Sequence, residues 1–201
     1  MEQICNQITL RGTLAELPRY SHENHGREFC RFLLEVPRLS GTADLLPVIA
    51  QKELLQELDP TEAGCWYVEG QIRSRNVRRE DGRHLQIFVF AARVSLEEGE
   101  PLNDVTLEGT LCREPTYRRT PLGREICDMM LAVPRVFRRA DYLPCILWGR
   151  VAQLGACCRT GDRLRISGRL QSRCYTQQTG DGPIRRTAYE ISAMTAGIPE
   201  D

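Results

Sequence analysis

Asn6-Gln7-Ile8-Thr9-Leu10-Arg11-Gly12-Thr13-Leu14 recurs ninety-seven positions later as Asn103-Asp104-Val105-Thr106-Leu107-Glu108-Gly109-Thr110-Leu111. The register continues without a gap. Pro18 and Tyr20 fall on Pro115 and Tyr117, Gly26-Arg27-Glu28 on Gly123-Arg124-Glu125, and Val36-Pro37-Arg38 on Val133-Pro134-Arg135. Ala43-Asp44 and Leu46-Pro47 fall on Ala140-Asp141 and Leu143-Pro144. Across residues 6–51, 21 of 46 positions are identical. One inserted residue then brings Gly70, Ser74 and Arg75 onto Gly168, Ser172 and Arg173. Self-similarity at a fixed period means one supersecondary unit used twice, and 201 residues suit two units of about 100 each. The predicted units are residues 1–98 and 103–198, joined by a short linker near Leu96 to Pro101.

Each unit reads as strands. Ile8, Leu10, Gly12 and Leu14 alternate with polar residues, the period of a half-buried strand. A loop is expected from Pro18 to Gly26, then apolar runs at Phe29 to Val36 and Leu45 to Ala50. Helical spacing follows at Gln51 to Leu58, stopped by Gly64. Cys65 to Arg75 forms a fourth strand, and the turn Arg79-Glu80-Asp81-Gly82 leads to a fifth at Leu85 to Val94. Three strands, a short helix and two strands is the order of the OB-fold, a five-stranded Greek-key barrel. The fold class is therefore all-β, two tandem OB barrels. Gly12, Gly70, Gly109 and Gly168 lie inside strands, where glycine marks bulges or sharp bends.

Charge separates the halves. The chain has 27 basic and 27 acidic residues, which excludes a global cationic field. Residues 1–102 carry a balance of −4 and residues 103–201 one of +4. Lys52 is the one lysine, and arginine's planar fork suits phosphate contact and base stacking. Nine cysteines without a CxxC pair do not read as a disulfide framework or zinc site. There is no signal peptide and no long apolar run, so the chain is expected to be soluble and cytoplasmic. No nucleophile, metal-ligand or phosphate-loop motif is present, so neither an enzyme nor a cofactor is expected.

The second unit resembles the bacterial single-stranded DNA-binding protein family. The residues that carry this are Asn103 to Gly109, Pro115, Leu131-Ala132-Val133, Ile146-Leu147-Trp148-Gly149-Arg150-Val151-Ala152, Thr160-Gly161-Asp162 and Ile166 to Arg173. The resemblance implies sequence-independent binding of single strands by base stacking on Trp148, Tyr142, Phe137 and Tyr175. It also implies phosphate contact by Arg150, Arg173, Arg169, Arg135, Arg138, Arg139, Arg118 and Arg119. At the equivalent first-unit positions stand Gln51, Leu45, Ser40 and Val77, so that unit is expected to be a structural or interaction surface. A secondary phosphate contact is expected there from Arg73, Arg75, Arg78, Arg79 and Arg83. Trp66, alternating with Val68, is expected in the core. Tyr20 and Tyr117 are expected to pack the barrels.

The resemblance further implies protection of single strands in replication, recombination or mobile-element transfer. It also implies a homodimer bringing four OB units together. The family's long acidic-tipped tail has no counterpart after Ile198-Pro199-Glu200-Asp201, which argues against tail-mediated recruitment of partners. A primosome- or conjugation-type OB scaffold with little DNA affinity is the alternative.

Overall fold

A computed structural model describes residues 5–61, 64–79, 82–179 and 182–199. Among them, eleven strands form one hydrogen-bonded system that closes twice. In the first half these are β1 (Asn6–Asn24), β2 (Arg27–Pro37), β3 (Ala43–Gln51), β4 (Trp66–Arg79) and β5 (Gly82–Leu96). They run in the order β2-β3-β5-β4-β1, and a β1–β2 pairing closes the ring. The second half holds β6 (Leu102–Leu111), β7 (Thr116–Arg119), β8 (Glu125–Arg135), β9 (Arg139–Trp148), β10 (Arg163–Thr179) and β11 (Gly182–Gly197). There the order is β6-β10-β11-β9-β8, closed by β6–β8, with β7 added to β8. The β3–β5 and β9–β11 contacts are the parallel ones. Both rings have the OB topology expected from the repeat.

Period-two alternation builds these barrels. In β6, Val105, Leu107 and Leu111 point inward and bury fully, while Asp104, Thr106 and Glu108 do not. β9 buries Leu143, Cys145 and Leu147 on its inner side. Trp66 is in the core as expected, 1% exposed, with its ring centroid 5.5 Å from that of Phe32. Gly70 and Gly168 sit at register shifts between β4–β5 and β10–β11. A Cβ at either would lie 2.2 or 2.1 Å from the carbonyl oxygen of Phe90 or Ser192. Only a residue without a side chain lets the strands approach this closely.

Several expectations need correction. The Pro18 to Gly26 loop is instead a β-arm, since β1 continues to Asn24 and pairs with β2 down to Asn24–Arg27. Pro18 does not stop β1, because a strand with an open neighbour side tolerates a missing donor. The first-unit helix shrinks to a 3-10 turn at Lys52–Leu55, whereas the second unit forms a true helix, α1 (Arg150–Cys157). Tyr20 and Tyr117 do not pack the barrels, being 62% and 40% exposed. The turn residues Glu80 and Asp81, and Glu200 and Asp201, lie outside the described residues.

The halves join through backbone. β1 and β6 run antiparallel from Asn6–Leu107 through Ile8–Val105 to Leu10–Asn103. Leu107 and Asn103 are the repeat equivalents of Leu10 and Asn6, so this pairing is reciprocal, as in a two-fold dimer.

Candidate nucleic-acid interface

The outward face of β9 carries Tyr142, Pro144, Ile146 and Trp148, because alternate strand residues share a side. Tyr142 is 47% and Trp148 38% exposed. They stand six residues apart, a span of about 20 Å. The Trp148 indole donates to Ser192 Oγ at 3.1 Å, which fixes the ring at the strand end. Tyr175 lies on the projecting β10–β11 hairpin opposite Arg186, 38% exposed. The Arg173 guanidinium lies 5.8 Å from its ring centroid. Phe137 occupies the β8–β9 turn with φ +61° and 91% exposure. A left-handed phenylalanine is uncommon, and here it turns the ring out to solvent. All four predicted stacking residues are thus on the surface, two on β9, one in the β8–β9 turn and one on the β10–β11 hairpin.

The predicted phosphate-binding arginines are differently placed. Arg118 pairs with Asp128 at 2.8 Å, Arg119 with Glu125 at 3.0 Å, and Arg173 with Glu190 at 3.7 Å. Arg135 is turned onto the buried Asp141 at 3.4 Å and serves the barrel junction. Arg139 and Arg150 are exposed at the starts of β9 and α1, and Arg169 is half-buried. The Arg138 side chain lies outside the described residues. Glu190 has its carboxyl pushed up, first by burial and then by Asp128, against the pull of Arg173, Arg118 and Arg38.

The first unit holds a feature that position-by-position reading missed. Between its β1–β2 arm and β5 lies a cleft of about 610 Å³, lined by Arg19, Tyr20, His22, Arg31, Arg75 and Phe88 among others. Arg75 stands 5.6 Å from the Phe88 ring centroid. Strand register places Phe88 where the second unit has Glu190, since Arg73–Phe88 corresponds to Gln171–Glu190. Arg31 likewise takes the place of Asp128. The central groove of the net-acidic half therefore gains cations and an aromatic ring. The hidden signal was these two exchanges within the repeat.

The geometry defines a tandem OB-fold protein with an outward aromatic and arginine face. The model of the single-strand binding protein family matches residues 102–198. The chain is 36% identical over 85 residues to single-stranded DNA-binding protein B of Bacillus subtilis, covering 39% of this chain and 75% of that one. It is 36% identical over 104 residues to the single-stranded DNA-binding protein of Oceanobacillus iheyensis, covering 48% and 62%. The match to single-stranded DNA-binding protein A of B. subtilis is 37% over 86 residues, covering 39% and 50%. The chain thus spans between half and three quarters of these relatives. The single-stranded DNA binding protein of Thermus aquaticus has a similar fold, with TM-score 0.78 at 24% identity, covering 98% of this chain and 93% of that one. This chain belongs to the single-strand binding protein family.

Proposed function

We propose that the chain binds single-stranded DNA without sequence preference and shields it during replication, recombination or mobile-element transfer. The observation that carries this reading is the placement of Tyr142 and Trp148 on one outward face of β9, with Tyr175 and Arg173 on the adjoining hairpin. Bases stack on such rings at roughly 1–3 kcal/mol each, and every base offers a π-face. Trp148, Tyr142, Phe137 and Tyr175 are the stacking set. Arg173, Arg169, Arg150, Arg139, Arg118 and Arg119 supply the phosphate contacts.

Residues 103–198 form the principal binding unit, and residues 1–98 form a partner unit whose cleft at Arg31, Arg75 and Phe88 adds a second contact. A homodimer brings four OB units together in the cytoplasm. No described helix is long and apolar enough to cross a membrane.

Titration with oligo-dT at low and high salt tests the reading. Trp66 is buried, so fluorescence quenching on binding reports Trp148. Affinity should fall steeply with salt as phosphate contacts release counterions. Absence of binding at low salt refutes the proposal.

A further inference from the structure

The first unit reaches across the junction and holds the backbone of one stacking residue. Asp141, which precedes Tyr142, is fully buried. Its carboxylate accepts the Ser74 backbone N–H at 2.6 Å and the Ser74 hydroxyl at 3.5 Å. It also accepts the guanidinium of Arg73 at 3.3 Å and that of Arg135 at 3.4 Å. The same Ser74 hydroxyl accepts the backbone N–H of Tyr142 at 2.8 Å. Ser74 and Arg73 lie on β4 of the first barrel, sixty-seven or more residues away. A buried carboxylate needs such partners, because an unpaired charge in the interior is strongly unfavourable. The contact is therefore fixed, and it ends on the residue whose ring faces outward.

A mirror copy sits on the other side. Asp44 accepts the Ser172 N–H at 2.6 Å and the Ser172 hydroxyl at 3.2 Å. Leu45 donates to Ser172 Oγ at 3.2 Å, and Arg38 pairs with Asp44 through its Nε at 2.8 Å. The two clamps share the serine–aspartate bonds, the arginine–aspartate pair and the bond from the next backbone N–H to the serine hydroxyl, and differ in what they present, Tyr142 in one and Leu45 in the other. They differ also in Arg73, whose repeat equivalent is Gln171.

We infer that Ser74 and Arg73 are positioning residues for the DNA-stacking ring of Tyr142, so that the binding face of the second unit is complete only when the first unit is docked against it. This rests on the assignment of Tyr142 to stacking made above. It gives the first barrel a role in binding that requires no base contact of its own.

The test is a double-mutant cycle in the full chain, read as oligo-dT affinity. Ser74→Ala should weaken binding about fivefold, the effect of one lost hydrogen bond, and Tyr142→Ala about tenfold, the effect of one lost stack. In the Tyr142→Ala background, Ser74→Ala should change nothing further, since coupled residues do not add. Ser172→Ala breaks the mirror clamp and should leave affinity at the wild-type level, with a thermal midpoint matching that of Ser74→Ala. Arg73→Gln, which the mirror clamp shows the fold accommodates, should reproduce the Ser74→Ala pattern more weakly. If Ser74→Ala binds as wild type, weakens binding equally without Tyr142, or is matched by Ser172→Ala, positioning is refuted and the stacking site stands. If Tyr142→Ala binds as wild type, stacking at Tyr142 and its positioning fall together.

Discussion

Arg173 lies over the ring of Tyr175, its guanidinium carbon 5.8 Å from the centroid. The two present themselves to a DNA strand as one cation–aromatic unit. Replacing Tyr175 by Ala should weaken oligo-dT binding about tenfold through one lost stack. Arg173→Ala should weaken it by a similar factor, and the double variant should lose less than the product of the two, because each orders the other. Fluorescence titration of the three variants checks this, and strict additivity would contradict it.

Glu190 restrains that same arginine at 3.7 Å. Its folded-state carboxyl is raised above the ordinary 4.5, first by burial. A raised acid holds its proton in the folded state at a pH where the unfolded chain has lost it. On falling pH it turns neutral early, favours the folded state in that window, and frees Arg173 for phosphate. Affinity should therefore rise as pH falls from neutral into the weakly acidic range. Glu190→Gln should bind a few-fold tighter at pH 7, because the Arg173 guanidinium, itself largely exposed, is then released to phosphate, and should flatten that part of the profile. A variant with unchanged affinity and an unchanged profile would remove Glu190 from the groove.

Gly168 and Gly109 are both inside strands but not under equal constraint. A Cβ at Gly168 would lie 2.1 Å from a backbone oxygen, while one at Gly109 would lie 3.0 Å away. Gly168→Ala should cost about 2–3 kcal/mol, in the range for forced overpacking, and Gly109→Ala markedly less. Urea unfolding of both variants measures the difference.

The first-unit cleft predicts dependence on oligonucleotide length. Phe88→Ala with Arg75→Ala should leave binding of a short oligo-dT unchanged, because one OB unit covers only about 4–16 nucleotides. A longer oligonucleotide that reaches the cleft should lose affinity about tenfold. Equal behaviour at both lengths would show that the cleft takes no DNA.

Much of this is legible in the sequence. A repeat displays each strand twice, and Ile8/Val105 and Leu10/Leu107 alternate alike, so barrel order follows from the repeat, whereas Tyr142 and Trp148 are singled out by the family resemblance, because their repeat equivalents are Leu45 and Gln51. The β-arm was not legible, because Pro18 and Gly26 read as breakers while the pairing that overrides them is set by the facing β2 residues. The acidic total of the first half hid its cationic cleft, because net charge does not say which face a side chain occupies. Tyr20 and Tyr117 match one another across the repeat, yet both are exposed, because a match in sequence does not say which face of a strand a side chain occupies. The arginines were found by type, but their carboxylate partners lie on neighbouring strands, and only pairing register brings Arg173 to Glu190 or Arg135 to Asp141.

The β1–β6 pairing also bears on how such a molecule can change. Two identical chains meeting through reciprocal strands must carry every substitution on both sides. Here the reciprocal strands belong to one polypeptide, so each half accepts mutations without imposing them on the other. Asp44 and Asp141 retain the shared junction, while Leu45 and Tyr142, one residue further on, have parted company. Covalent fusion also removes dissociation of the paired barrels from the equilibrium, so their union survives at any dilution.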